Sequence, residues 1–121
     1  MPPKRIPADV GRAAVTGALA GSKPDLATAT RYLLQVLAEH AEGNTVEVRV
    51  PPFGAVQAVE GPRHTRGTPP NVIEMDAPTW LALATGGTTW ALAVASGTVS
   101  ASGARADLAP YLPLAWETME G

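Results

Sequence analysis

Apolar side chains recur every three or four positions across residues 8–42, a spacing typical of helices with one buried face. The clearer half of this stretch starts at an S-x-x-D signal formed by Ser22 and Asp25, with Pro24 in the first turn. It is expected to end at Gly43. The pattern therefore predicts two consecutive helices, of which the earlier is weakened by its glycines.

At residue 45 the period of the pattern changes to two, which is typical of strands. Residues 45–50 alternate polar side chains with three valines and predict the strongest strand, and a proline-rich turn follows it. Residues 55–60 predict its hairpin partner, residues 71–75 a third strand and residues 98–102 a fourth. Because the first strands follow one another directly, the sheet is expected to be mostly antiparallel.

Two short helices are predicted between the third and fourth strands, and each carries one tryptophan. Asp76 is the candidate N-cap of the first, which contains Trp80, and a Gly-Gly pair ends it. A threonine at position 88 or 89 caps the second, which contains Trp90 and is closed by Gly97. The resulting order, α-α-β-β-β-α-α-β-α, predicts an α+β fold with the helices packed on one face of the sheet.

The chain of 121 residues has the length of a single domain, 1–121. Within it the pattern distinguishes an N-terminal helical pair at 8–42, a sheet with short helices at 44–112, and a tail at 113–121. No apolar run approaches the roughly 18 residues of a membrane-spanning helix. The basic start of the chain is not followed by the apolar stretch of a signal peptide, so a cytoplasmic protein is expected.

Composition narrows the chemistry. The hydrophobic fraction of 45% supports a core, and the absence of cysteine excludes disulfides, a cysteine nucleophile and thiolate metal sites. The acidic balance, with a pI near 5.6, argues against nucleic-acid binding. The nucleophile elbow, the Walker A loop and the dinucleotide fingerprint are missing from the sequence. We therefore predict no enzymatic activity, no cofactor and no metal.

The most chemically loaded stretch is Arg63 to Thr68. Arg63, His64 and Arg66, with nearby hydroxyl and glycine N–H groups, are suited to holding a phosphate or a carboxylate. The alternative, which arginines more often fulfil, is that Arg63 and Arg66 pair with Glu47, Glu60 or Glu74 and brace a proline-rich loop. The sequence leaves both interpretations open.

The two tryptophan helices are too short to be stable alone, so each ring must be buried against the sheet. One interpretation is ordinary core packing. The other is an apolar cavity between the helices and the sheet, because the remaining apolar residues are mostly small.

These segments resemble the late region of sterol-carrier-protein-like domains. The resemblance lies in residues 80–86, 90–93 and 96–103 and in Asp107 and Leu108, and it continues upstream in residues 49–57 and 61–71. The upstream part is similar to a small bacterial branch called "sterol carrier family protein". The resemblance implies a five-stranded sheet, with the fifth strand near residues 63–68, and a hydrophobic tunnel between sheet and helices. It also implies binding of lipids, fatty acyl groups or sterol-like molecules without catalysis.

The first hypothesis is accordingly a module that binds a lipid or another hydrophobic small molecule. Its apolar pocket would be lined by Trp80, Leu83, Ala84, Trp90, Val94, Leu108, Tyr111, Leu112 and Trp116. A charged head group would lie near Arg63, His64 or Arg66. A second hypothesis is a scaffold with a filled pocket, whose tail docks a partner protein or a second copy. A third is an accessory domain of an enzyme that acts on an anionic metabolite through the 63–68 loop.

Overall fold

The structure is a computed structural model and describes residues 4–61 and 70–118. These residues contain four α-helices and four strands. The elements in chain order are α1 (Ala8–Leu19), α2 (Leu26–His40), β1 (Val46–Val50), β2 (Gly54–Ala58), β3 (Asn71–Met75), α3 (Ala77–Thr85), α4 (Trp90–Ala95) and β4 (Val99–Ser102). Short 3₁₀ turns lie at Lys23–Asp25, Ala109–Tyr111 and Trp116–Thr118. The predicted α+β class is confirmed.

The strands form one sheet in the order β2-β1-β3-β4. The β1–β2 and β3–β4 pairs are antiparallel, whereas β1 and β3 are parallel, with Val48 opposite Ile73. The expectation of a mostly antiparallel sheet is wrong for this central pair, and the sheet is mixed. The last residue of β2, Ala58, and the first residue of β3, Asn71, both lie opposite Val46 at the start of β1, so β3 runs in the same direction as β1.

The described residues contain four strands rather than the five that the resemblance implied. The segment from which the fifth strand was expected, residues 63–68, lies outside the described residues. The alternation within β1 is as predicted: Val46, Val48 and Val50 are fully buried, while Arg49 is exposed and pairs with Glu47 at 2.8 Å. One face of the sheet therefore belongs to the core and the other carries polar side chains.

The predicted helical pair is present, and α1 runs antiparallel to α2. This direction follows from three contacts along the pair, in which residues 5, 11 and 17 meet residues 39, 32 and 25 respectively. Gly11 is required at its position because a Cβ atom there would overlap the ring of Tyr32. The stripe that contains Leu33 and Leu37 is fully buried.

The two short helices begin and end as their sequences predict. The Asp76 carboxylate accepts a hydrogen bond from the Thr79 N–H at 2.9 Å, and Gly86 ends α3 in the left-handed region with φ 88°. The Thr89 hydroxyl accepts from the Leu92 N–H at 3.2 Å and caps α4. The chain then returns to α3, where the Leu114 N–H donates to the Ala84 carbonyl at 2.9 Å.

Candidate ligand-binding groove

An open groove of about 1030 Å³ lies beside the edge strand β2. Residues 4–7, called the N-terminal segment below, form one side together with the start of α1. The other side is residues 53–56, and α2 forms the bottom. The groove is therefore bordered by residues 4–10 on one side and by the edge of the sheet on the other, with α2 beneath it.

The inner surface of the groove is mainly apolar. It is formed by Ile6, Pro7, Val10, Leu34, Ala38, Phe53 and Val56. Leu34 is buried, but Val10 remains 49% exposed although it is a large apolar side chain. Phe53 and Val56 are half-buried. Apolar side chains that stay partly exposed around a concave space are typical of a ligand site.

The N-terminal segment is held against α2 by the side-chain amide of Gln35. The Ile6 N–H donates to Gln35 Oε1 at 2.8 Å, and Gln35 Nε2 donates to the Ile6 carbonyl at 2.9 Å. Both main-chain polar groups of Ile6 are thereby satisfied, and Ile6 is one of the residues that line the groove.

The rim of the groove carries more positive than negative charge. Arg5 forms two hydrogen bonds with Glu39, at 2.8 and 2.9 Å, and these lower the pKa of the Glu39 carboxyl. Arg31 donates from Nε to the Phe53 carbonyl at 2.8 Å. Within residues 4–61 and 70–118, neither Arg31 nor Lys4 forms a salt bridge. Two cationic groups at the rim therefore remain without a carboxylate partner there.

A family model described as "bacterial SCP ortholog" matches residues 22–114. The chain belongs to the bacterial SCP ortholog family. The predicted resemblance to sterol-carrier-like proteins is thereby confirmed. No curated protein matches the chain. The SCP match covers α2 and β2 but begins after α1, so the side of the groove formed by residues 4–10 lies outside it.

None of the predicted pocket residues of this SCP-family chain lines the groove. Trp80, Leu83, Ala84 and Leu108 are between 0% and 1% exposed, and Trp116 is also buried. Trp90, Tyr111 and Leu112 are partly buried against the same core, while Val94 is 44% exposed on α4. The structure thus places all of them except Val94 in the same hydrophobic core as Leu34 of the groove. The part of this core formed by the predicted pocket residues is called the tryptophan cluster below. Contact of these residues with a ligand stays a prediction.

The ring nitrogen of Trp80 is held inside this cluster. Trp80 Nε1 donates to the Thr30 carbonyl at 3.3 Å, while the Thr30 hydroxyl is buried without a hydrogen-bond partner in the described part of the chain. The predicted head-group residues Arg63, His64 and Arg66 lie outside the described residues, and an anion site there also stays a prediction.

The sequence analysis did not identify the groove, although one signal pointed towards it. Leu34 and Ala38 lie one position after the buried stripe of Leu33 and Leu37, so α2 has more apolar surface than the sheet alone requires. The surplus faces a space that two distant segments complete. No pattern in the sequence brings residues 4–10 and 53–56 together.

Two further findings bear on the kind of site. Across residues 4–61 and 70–118, no group of three His, Cys, Asp or Glu side chains forms a metal site. None of the helices described there has both the length and the apolar character needed to cross a bilayer.

Proposed function

We propose that the protein binds an amphiphilic molecule with a hydrocarbon chain and an anionic head group, such as a fatty acid, in the groove beside β2. The observation that carries the proposal is an open apolar space of about 1030 Å³ with Lys4 and Arg31 at its rim. Known sites for small molecules are concave, mostly apolar and on the order of 300–1,000 Å³. The proposed role is binding or carriage and includes no chemical step.

The hydrocarbon chain would lie along α2, between Ile6 and Val10 on one side and Phe53 and Val56 on the other. Each methylene removed from water contributes about 0.8 kcal/mol, before the costs of association are subtracted. Burial would also cover Val10, which is half exposed without a ligand. The affinity is therefore expected to rise with chain length.

The head group would lie at the mouth of the groove, near Arg31 and Lys4. The hydrogen bond from Arg31 to the Phe53 carbonyl holds the guanidinium beside β2, where it can approach a carboxylate or a phosphate. Arg5 is less suited to this role because Glu39 already accepts two of its hydrogen bonds.

Membership of the SCP family supports binding of a lipid or another hydrophobic ligand, since this is generally a family of carrier and binding proteins. It does not choose between locations. The competing location is the interior cluster around Trp80, Leu83 and Trp90, with a head group near Arg63, His64 or Arg66. The buried Thr30 hydroxyl, without a partner among the described residues, favours that location as a second candidate for a ligand with a polar group.

Calorimetric titration with decanoate tests the location. Ala38 is half-buried at the bottom of the groove, so Ala38→Trp would fill the space that the chain occupies. We expect at least a tenfold loss of affinity, about 1.4 kcal/mol. Ala104→Trp is the matched control because Ala104 is exposed in the turn after β4. If the decanoate affinity of Ala38→Trp equals that of the unaltered protein, the ligand binds at another location.

The head group is tested by comparing decanoate with the neutral alcohol decanol. The double variant Lys4→Ala/Arg31→Ala is expected to lose about tenfold affinity for decanoate, but little for decanol, because the charge term is lost and the apolar surface remains. Lys23→Ala/Arg105→Ala removes the same charge away from the groove and serves as the control. Equal losses for both ligands would contradict an anion-binding rim.

A further inference from the structure

The short helix α4 exposes most of its apolar surface. All of its residues, Trp90 to Ala95, are apolar, yet only Ala93 is buried. Leu92 is 63% exposed, which is more than any other large hydrophobic residue in the described part of the chain, and Val94 is 44% exposed. Within residues 4–61 and 70–118, this apolar surface at the β4 side of the sheet therefore has no partner.

The sequence on either side of α4 contains no charged residue. No Asp, Glu, Lys or Arg occurs between Asp76 and Arg105, so α3, α4 and β4 are built from apolar, glycine, proline and hydroxyl residues alone. Charged residues are the ones excluded from the lipid side of a membrane interface. An exposed apolar helix within an uncharged stretch is suited to such an environment.

Several main-chain groups at the ends of α4 have hydrogen-bond partners within the protein. At its start, the Thr89 hydroxyl accepts from the Leu92 N–H at 3.2 Å. At its end, the Ala93 carbonyl accepts from the Thr98 hydroxyl at 3.1 Å, and the Leu92 carbonyl accepts from the Ser96 N–H at 2.9 Å. These groups do not depend on water, and main-chain groups without partners are the main obstacle to placing a helix end in lipid.

We propose that α4 is a membrane-contact surface that inserts Leu92 and Val94 shallowly into the interface of a lipid bilayer. A stable protein partner or a second copy would bury about 800 Å² on each side, and two large side chains with a few alanines fall well short of that area. Attachment to a bilayer interface has no minimum area and becomes stronger as more apolar surface is inserted, so a small patch gives weak, reversible attachment. Trp90, half-buried at the start of α4, is a residue type enriched at such interfaces.

This surface is separate from the proposed ligand groove. The groove lies beside β2 and α4 packs on β4, at opposite edges of the sheet. The inference therefore goes beyond the proposed function, and the two can fail independently. Since no charged residue is involved, attachment should not depend on anionic lipids or on ionic strength.

Flotation with phosphatidylcholine vesicles tests the surface. Leu92→Asp is expected to reduce the vesicle-bound fraction at least tenfold, because a carboxylate would have to enter the interface. The new carboxylate lies in the first turn of α4, where it is favourable for the helix, so folding should be retained. Leu19→Asp is the matched control, since Leu19 is 51% exposed at the end of α1. The control should float like the unaltered protein, also at high salt.

Several results would overturn the proposal. One is that the unaltered protein does not float with the vesicles. Another is that Leu92→Asp floats as well as the unaltered protein. The third is that Leu19→Asp, rather than Leu92→Asp, lowers the vesicle-bound fraction. Association of the protein without vesicles, abolished by Leu92→Asp in sedimentation velocity, would assign the surface to a second copy. Decanoate titration of Leu92→Asp distinguishes membrane contact from ligand binding, because the decanoate affinity of the groove should be unchanged in this variant.

Discussion

The groove beside β2 and the tryptophan cluster under α3 both consist mainly of apolar side chains, yet they differ in packing. In the cluster, Trp80 and Leu108 are fully buried, and the Trp80 ring reaches α2, where its Nε1 donates to the Thr30 carbonyl. Around the groove, the apolar side chains come from separate segments, one of which the Gln35 amide holds against α2, and Val10 stays half exposed. The difference teaches that apolar composition alone does not predict a ligand site. A ligand site requires large apolar side chains that border a space, whereas side chains that pack against one another fill it.

The largest expected effect comes from emptying the cluster with Trp80→Ala. Removing a fully buried tryptophan costs about 3–5 kcal/mol in the free energy of unfolding, because packing is lost and a cavity remains. Urea denaturation measures this difference. Trp90→Ala is the control and should cost less, since Trp90 is only partly buried. A cost below about 1 kcal/mol for Trp80→Ala would be less than the burial of two methylene groups contributes. It would show that the interior is loosely filled and would favour the interior ligand site.

An intermediate effect is expected on the groove side from Gly11→Ala. The new Cβ atom would overlap the ring of Tyr32, which is almost fully buried and has no room to turn away. Overpacking of this kind costs about 1–3 kcal/mol, which exceeds the gain of about 1 kcal/mol from alanine in a helix. Because α1 must shift away from α2, decanoate affinity should change together with the free energy of unfolding.

Gly17→Ala provides the control for this prediction. A Cβ atom at position 17 meets the carboxylate of Asp25, the far end of a side chain that is only partly buried and can rotate. A smaller loss of stability is therefore expected than for Gly11→Ala. The reverse order would mean that the contact between α1 and Tyr32 is not what fixes the distance between the two helices.

The smallest effect concerns the cap of α3. Asp76→Ala should cost about 0.5–2 kcal/mol, the usual range for loss of an N-cap. Hydrogen bonds from Thr79, chiefly from its side chain, lower the pKa of the Asp76 carboxyl in the folded state. Its contribution is therefore present above the ordinary carboxyl pKa of about 3.9 and is lost as the pH falls through the lower folded value.

The difference in unfolding free energy between the unaltered protein and Asp76→Ala should accordingly narrow in acid. Thr89→Ala is the control, since it removes the cap of α4 without removing a titratable group. Its cost should be the same across this range of pH. A difference for Asp76→Ala that does not change with pH would contradict the role of the ionised carboxylate in the cap.

Local features of the fold could be predicted because they depend on neighbouring residues. The Asp76 cap, the end of α3 at Gly86 and the alternating burial of Val46, Val48 and Val50 each follow from a few consecutive positions. The parallel pairing of β1 with β3 could not be predicted, because alternation determines which face a side chain occupies and not which strand lies beside it.

The groove could not be predicted for a related reason. Its surface combines Ile6, Leu34 and Phe53, which belong to three segments far apart in the sequence and meet only after α1 and β2 are placed around α2. The tryptophan pattern predicted burial correctly for Trp80. Whether a buried ring fills a space or borders one depends on packing, which periodicity does not report.

The attachment of the N-terminal segment has a consequence for the kinetics of exchange. Two hydrogen bonds to Gln35 and the exposed Arg5–Glu39 pair hold this side of the groove. Each hydrogen bond to Gln35 contributes only about 0.5–1.5 kcal/mol, because water competes for the same groups, and an exposed ion pair contributes about 0–1 kcal/mol. The bottom of the groove belongs to α2, whose opposite side is in the core. We therefore expect bound chains to leave by brief detachment of residues 4–7, much faster than the protein unfolds. The Gln35 amide would then set the residence time of the ligand as well as the shape of its site.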